Sequence, residues 1–409
     1  MAGRRRLDQV DAMRPIKQAG VVSTHTIIAF APLGAATASN ASLLLLHVSR
    51  EAFFFISACM LTYAYAGLNL GDRAGMRRFY WRRFVAVGLP YLCWNAIYFL
   101  WFLYVLRNAS YANPARALEH FGRQLEIGYD QLYFLIVIME FYLVFPLVLV
   151  LLRRTRGHHG LVLAAAVAAQ FAMAIAMHWN LLPAVLVKYG QENALCYVLY
   201  LIGGAIVAFH LTDVHDWVCR HAALVVFLTL AATIFAEGVY FLARTGVTRA
   251  LGSGSDPFQP SVIPFNVGAL ACGYLAGLAL VRPWRSRRTR AAVRIGSDNA
   301  YGIYLAQMLF ITTLTALGWN RFADRAPFWV WFPLTLAIAY LGSIALTAVL
   351  ARTPLAVPLT GRKRQPWRTL LPRRAPEPAP PAAPTAAADQ VTSQEPAALA
   401  GTATDQNGT

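Results

Sequence analysis

The chain has 409 residues, 57% of them apolar and 13% charged, with a mean hydropathy of +0.47, proportions that exclude an ordinary soluble domain. Lys and Arg number 36 against 19 Asp and Glu, giving a net charge of +17. In a soluble protein that excess would suggest a nucleic-acid surface, so the location of the charge decides its meaning.

Taken in chain order, ten runs reach the roughly 20 mostly apolar residues a bilayer crossing needs. They are 16–37, 41–65, 84–106, 130–152, 160–178, 193–211, 222–243, 261–281, 300–318 and 328–351. The expected fold is therefore all-α, a polytopic membrane bundle of ten helices over 16–351, preceded by a short cytoplasmic N-terminus at 1–15. Residues 352–409 are basic and then rich in Pro, Ala and Thr, a composition that buries too little surface to fold and reads as a disordered cytoplasmic tail.

Alternate connections divide the charge sharply: 27 Lys and Arg fall on one side and 8 on the other, with Arg50 inside the second run. Basic residues stay on the cytoplasmic side, so both termini are expected there, in a cell membrane; the excess needs no nucleic acid to explain it. The Ala- and Arg-rich composition hints at a GC-rich bacterial genome. Arg4 to Arg6 followed by Ala19–Leu33 also fits a secretory leader, but Ser23, Thr24, His25 and Thr26 interrupt its apolar core, and its removal would break the even count. Five scattered cysteines without a CxxC pair frame neither disulfides nor zinc, and Asn108-Ala-Ser is a chance glycosylation sequon.

An ionisable side chain in lipid costs several kcal/mol unless it is paired or faces a cavity. Within the runs stand His25, His47, Arg50, Glu51, Glu140, His178, His210 and Glu237, of which His178 and His210 sit at run ends and read as interfacial. His25 lies about 13 Å into its run, near the middle of a hydrocarbon core about 30 Å thick. Arg14 is eleven residues earlier, and eleven steps of about 100° return to within about 20° of the same face, so the two share one stripe, about 16 Å apart along the axis. Pro15 fits the first helical position. The stripe suits an anionic ligand that presents its reactive end to a buried imidazole. His47 and Glu51 are one turn apart and able to touch, while Arg50 and Glu51 are able to neutralise each other.

These residues resemble those of the membrane-bound acyltransferase-3 family. Arg14 to His25 has the Arg, ten residues, His spacing of its first span, and Phe53-Phe54-Phe55-Ile56-Ser57 looks like its aromatic-Ile-Ser stretch. Arg82-Arg83 ahead of Pro90-Tyr91, Gln131-Leu132-Tyr133-Phe134-Leu135, and Ile295-Gly296 with Asn299-Ala-Tyr301-Gly-Ile-Tyr304-Leu305 follow in the family's order. Three positions depart from the pattern: Ala86 where a second basic residue is usual, Gln307 where His is usual, and Ala58 for Gly.

The resemblance implies transfer of an acyl group, commonly acetyl, from cytoplasmic acyl-CoA to a hydroxyl of a carbohydrate or related metabolite, with acyl-CoA as donor substrate and no bound cofactor or metal. Arg14, Arg82 and Arg83 would hold the donor's phosphates as bidentate donors. His25 would act as base toward the acceptor or carry the acyl group itself. Glu51 and Glu140 are candidate partners for the imidazole or an arginine, Arg50 a further cation, and Tyr301 and Tyr304 candidate donors to an oxyanion, against a packing role. Ser57 reads as a packing hydroxyl. Some relatives carry an extracytoplasmic hydrolase-like domain absent here, so the acceptor docks among the helices or is handled by a separate protein.

A transporter or exporter of a glycan or small metabolite is the competing reading, since buried His, Arg and Glu also suit a substrate pathway. Neither an inverted repeat nor a matched pair of broken spans supports it. A purely structural membrane protein would not need His25.

Overall fold

The computed structural model describes residues 8–107, 113–245, 256, 258–282 and 286–366. Asn108, Arg4 to Arg6 and the segment 367–409 lie outside the described residues. In chain order the helices are α1 (Asp8–Phe30), α2 (Ala36–Leu46), α3 (Val48–Tyr65), α4 (Arg73–Arg83), α5 (Leu89–Leu100), α6 (Pro114–Ile127), α7 (Tyr133–Arg154), α8 (His159–His178) and α9 (Ala184–Lys188). They continue as α10 (Val198–Phe209), α11 (Leu211–Arg220), α12 (Ala222–Arg244), α13 (Val262–Val281), α14 (Arg287–Ala316), α15 (Asn320–Arg325), α16 (Phe328–Leu350) and α17 (Ala356–Thr360). The described residues contain no strand.

Seven helical stretches among the described residues are long and apolar enough to cross a membrane, and the bent pair α10–α11 makes an eighth if it is one span. α1 and α14 have the length but not the apolarity, because both carry polar residues into the interior of the bundle: Lys17, Gln18 and Thr26 on α1, and Ser297 and Gln307 on α14, are all buried.

Several boundaries differ from the sequence expectation, each for a physical reason. α1 begins at Asp8, eight residues before the expected run, because Val10 and Met13 are buried against Ile56 of α3 and extend the helix through its polar first turns. Pro15 therefore sits inside the helix and not at its first position; lacking an N–H, it leaves the carbonyl four residues back without its helical donor. The run 193–211 is broken at His210, where α11 turns 100° away from α10. α14 starts at Arg287, thirteen residues before the expected run, capped by the Ser286 hydroxyl accepting from the Thr289 N–H. Past the last expected run, α17 lies along α5, where the Trp94 indole donates to the Leu359 carbonyl at 2.9 Å.

α1 runs through the middle of the bundle because small residues let its neighbours approach. A Cβ on Gly20 would collide with the Ser49 side chain of α3, and one on Gly296 of α14 would lie 2.7 Å from Pro15. Beside this contact sits an aromatic core from α3, α7 and α14. Phe53 meets Phe134 edge-on at 4.2 Å, Phe54 stacks on Phe134 at 4.1 Å, and Tyr304 lies 5.7 Å from Phe134. Hydroxyls fix α14 in register, since Tyr304 donates to the Gln131 carbonyl at 2.5 Å and Tyr98 of α5 to the Leu305 carbonyl at 2.6 Å.

Candidate functional site

Because α1 is unbroken, it carries three basic groups along one length of helix: Arg14, then Lys17 one turn on, then His25 about 12 Å beyond Lys17. Arg14 is half-buried and pairs with Asp11 at 3.0 Å. Lys17 is only 8% exposed; its Nζ lies 3.1 Å from the centroid of the Phe53 ring, and no carboxylate among the described residues comes within ion-pair distance. Gln18 is fully buried, and neither of its side-chain polar atoms has a protein partner. A buried amide left open in this way is worth 1–3 kcal/mol to whatever group satisfies it, on the order of a hydrogen bond gained.

His25 is half-buried, and its ring makes no hydrogen bond to a described residue. It lies five residues before the end of α1, roughly 8 Å from that end and 26 Å from Asp8. His47, at the junction of α2 and α3, is close enough for the two imidazoles to interact electrostatically, and its Nδ1 is buried without a partner. The structure thus brings near His25 a second histidine, which the sequence had set beside Glu51.

Arg50 and Glu51 are both buried and bind each other: Arg50 donates to Glu51 Oε1 from Nη2 at 2.5 Å and from Nε at 3.1 Å. The guanidinium also lies over the rings of Tyr197 and Phe258 at 4.9 and 5.4 Å and bonds the Tyr133 hydroxyl. Glu51 therefore serves Arg50 and not His47, while its Oε2 has no partner. Glu140 accepts from the Ala194 N–H at 2.7 Å and so fixes the turn that presents Tyr197 to Arg50; it does not orient a histidine. Glu192, in the loop before that turn, is pushed above the usual carboxylate range by burial, with the nearby Glu140 adding to the shift.

Arg82 and Arg83 end α4, immediately before a π-helical turn at Phe84–Gly88. Arg82 is exposed. Arg83 is half-buried, donates to the Tyr65 hydroxyl at 3.1 Å and lies over the Tyr65 and Tyr142 rings at 5.2 and 5.7 Å. Among the described residues no hydrogen bond, ion pair or ring contact joins this pair to Arg14. They are connected through α14: Gly296 touches Pro15, and Tyr301, five residues on, lies beside Tyr142. Ala86, where the resemblance leads one to expect a further basic residue, has its carbonyl facing Gly361, where φ is +65° and a Cβ would lie 2.7 Å from that oxygen.

Of the remaining candidates, Tyr304 has its hydroxyl committed to Gln131, whereas the buried Tyr301 hydroxyl has no partner. Ser57 is half-buried, with no acid or imidazole tied to it. Gln307 is completely buried, with both polar atoms unpaired. Both carboxylate oxygens of Glu237 on α12 are buried without a partner. The two histidines set aside as interfacial have specific partners instead: His178 meets Asp256 at 2.5 Å, and His210 Nε2 meets His159 Nδ1 at 2.7 Å. Sequence reasoning missed Lys17, counted only toward topology, although its place three residues after Arg14 and inside a span was the signal available.

A model of the acyltransferase-3 family, described as an acyltransferase domain, matches residues 7–348. The comparison with curated proteins found no match, and neither did the comparison with solved structures.

Proposed function

The chain belongs to the acyltransferase-3 family, and on that premise we propose that it transfers an acyl group, acetyl in the first instance, from acyl-CoA to a hydroxyl of a carbohydrate or related metabolite. On this reading the bundle crosses the membrane ten times, counting α1, α14 and the bent pair, with both termini on the donor side. The observation that carries it is the unbroken α1, which holds an arginine, a buried lysine and a histidine in sequence, the last two without a carboxylate or hydrogen-bond partner among the described residues.

The donor's phosphates meet Arg14 and the exposed Arg82, with Arg83 held ready by Tyr65 and Tyr142. Lys17, which the sequence reading did not use, supplies a further positive charge one turn deeper. The pantetheine arm follows α1 toward His25. There a neutral imidazole takes the proton of the acceptor hydroxyl as it attacks the thioester carbonyl, and the coenzyme A thiolate leaves; alternatively the imidazole takes the acyl group first and hands it on.

Radiolabelled acetyl-CoA offered to the purified protein in liposomes tests the reading. Acyl-CoA is consumed by the native chain, and Arg14→Gln raises KM for the donor at least tenfold. No consumption with any acyl chain length would refute it.

A further inference from the structure

An apolar slot with a volume of about 250 Å³ is walled by α1, α3, α8, α10, α11 and α13. Its shape follows from a pair of glycines on α10. At Gly204 a Cβ would collide with the Phe55 carbonyl of α3, so this glycine brings the two helices into contact. At Gly203 a Cβ would stand 3.9 Å from both Leu163 and Phe55, so this one leaves open the space between them. From Leu199 to Val207 the α10 wall rises about 12 Å. A space that long and only 250 Å³ in volume is one chain wide, with room for about eight groups of water or methylene size at roughly 30 Å³ each.

Water does not suit it. The polar tips on its wall are committed to protein: the Tyr200 hydroxyl accepts from Asn266 at 3.1 Å, and His215 Nδ1 meets the Tyr274 hydroxyl at 2.8 Å. A buried water needs two to four polar partners, and the slot offers it almost none. Two lining residues face outward as well, Leu163 at 37% and Val267 at 48% exposure, on helices long and apolar enough to cross the membrane. The slot therefore opens sideways, toward hydrocarbon.

α11 covers one end. Turned 100° from α10, it lays Leu211, Val214 and Val218 on the slot and leaves Thr212, Asp213, Asp216 and Arg220 exposed, the division of a helix lying in a membrane interface. Trp217, half exposed on the same helix, suits that level.

We propose that this slot holds one hydrocarbon chain of a membrane lipid, entered from the side at Leu163 and Val267 and covered by α11. The inference stands apart from the acyl-transfer site, because it rests on the shape and lining of the slot alone.

The test reconstitutes the full chain in phosphatidylcholine vesicles containing a phosphatidylcholine with a diazirine on one acyl chain, followed by irradiation and mapping of the labelled residues. The native protein is expected to be labelled on Cys59, Tyr200 and Val207. Gly203→Leu, which fills the slot, lowers that labelling at least tenfold and leaves the label on the outward Phe227 and Leu230 of α12 and the Tm unchanged. Val214→Phe fills the slot from the cover and gives the same loss should Gly203→Leu not fold. A native protein without label inside the slot means an empty cavity and overturns the proposal. So does label that persists in the filled variants, or label displaced by excess palmitoyl-CoA, which would assign the slot to a thioester's chain.

Discussion

Lys17 and Phe53 are in direct contact, the ammonium nitrogen 3.1 Å from the ring centroid, at a depth where the lysine is only 8% exposed. A desolvated cation over an aromatic face gains about 2 kcal/mol, less than the several kcal/mol that removing a charge from water costs. Nothing else in the described protein compensates that charge, so Lys17 is better explained by an anion that arrives than by packing. Lys17→Met is expected to lower acyl-CoA turnover at least tenfold while leaving Tm unchanged or higher, since replacing a buried charge by an apolar group of similar size is often neutral or stabilising. A fall in Tm with turnover intact would make the lysine structural.

Arg50 and Glu51 behave differently, because each is the other's partner. Glu51→Leu strands a buried guanidinium and is expected to destabilise the protein by about 3–5 kcal/mol, whereas Arg50→Met with Glu51→Leu recovers most of that loss. Unfolding of the two variants beside the native chain measures both numbers.

The glycine pair on α10 separates two roles by one residue. Gly204→Ala forces α10 from the Phe55 carbonyl and is expected to cost about 1–3 kcal/mol. Gly203→Ala meets only ordinary contacts at 3.9 Å and gains up to about 1 kcal/mol of helix propensity, so its Tm stays level or rises.

Two tyrosines one turn apart on α14 make a similar contrast. Tyr304→Phe loses the bond to the Gln131 carbonyl and is expected to cost about 1 kcal/mol or more. Tyr301→Phe removes a hydroxyl with no protein partner, so stability holds. If that hydroxyl serves the donor, turnover falls in Tyr301→Phe without loss of Tm, and the two assays on one preparation show it.

Hydropathy alone located most of the helices, because outward faces such as those of α8, α12 and α16 are continuously apolar. It misplaced the start of α1, where Asp11 and Arg14 look like an extramembrane end although Val10 and Met13 are buried. It also missed the break at His210, which no Pro or Gly announces. The Arg14 to His25 spacing was legible because one helix carries both residues. The nearness of His47 to His25, the service of Glu51 to Arg50 and the burial of Lys17 were not, since each depends on which helices meet, and periodicity within one helix holds no record of its neighbours.

The most direct test of the account is acyl-CoA turnover by the native chain and by His25→Ala, purified side by side in liposomes with radiolabelled acetyl-CoA. The account predicts that the native protein releases coenzyme A and that His25→Ala, with an unchanged Tm, does so at least a hundredfold more slowly. Equal turnover by the two proteins would remove His25 from the chemistry and contradict the assignment of α1 as the catalytic helix.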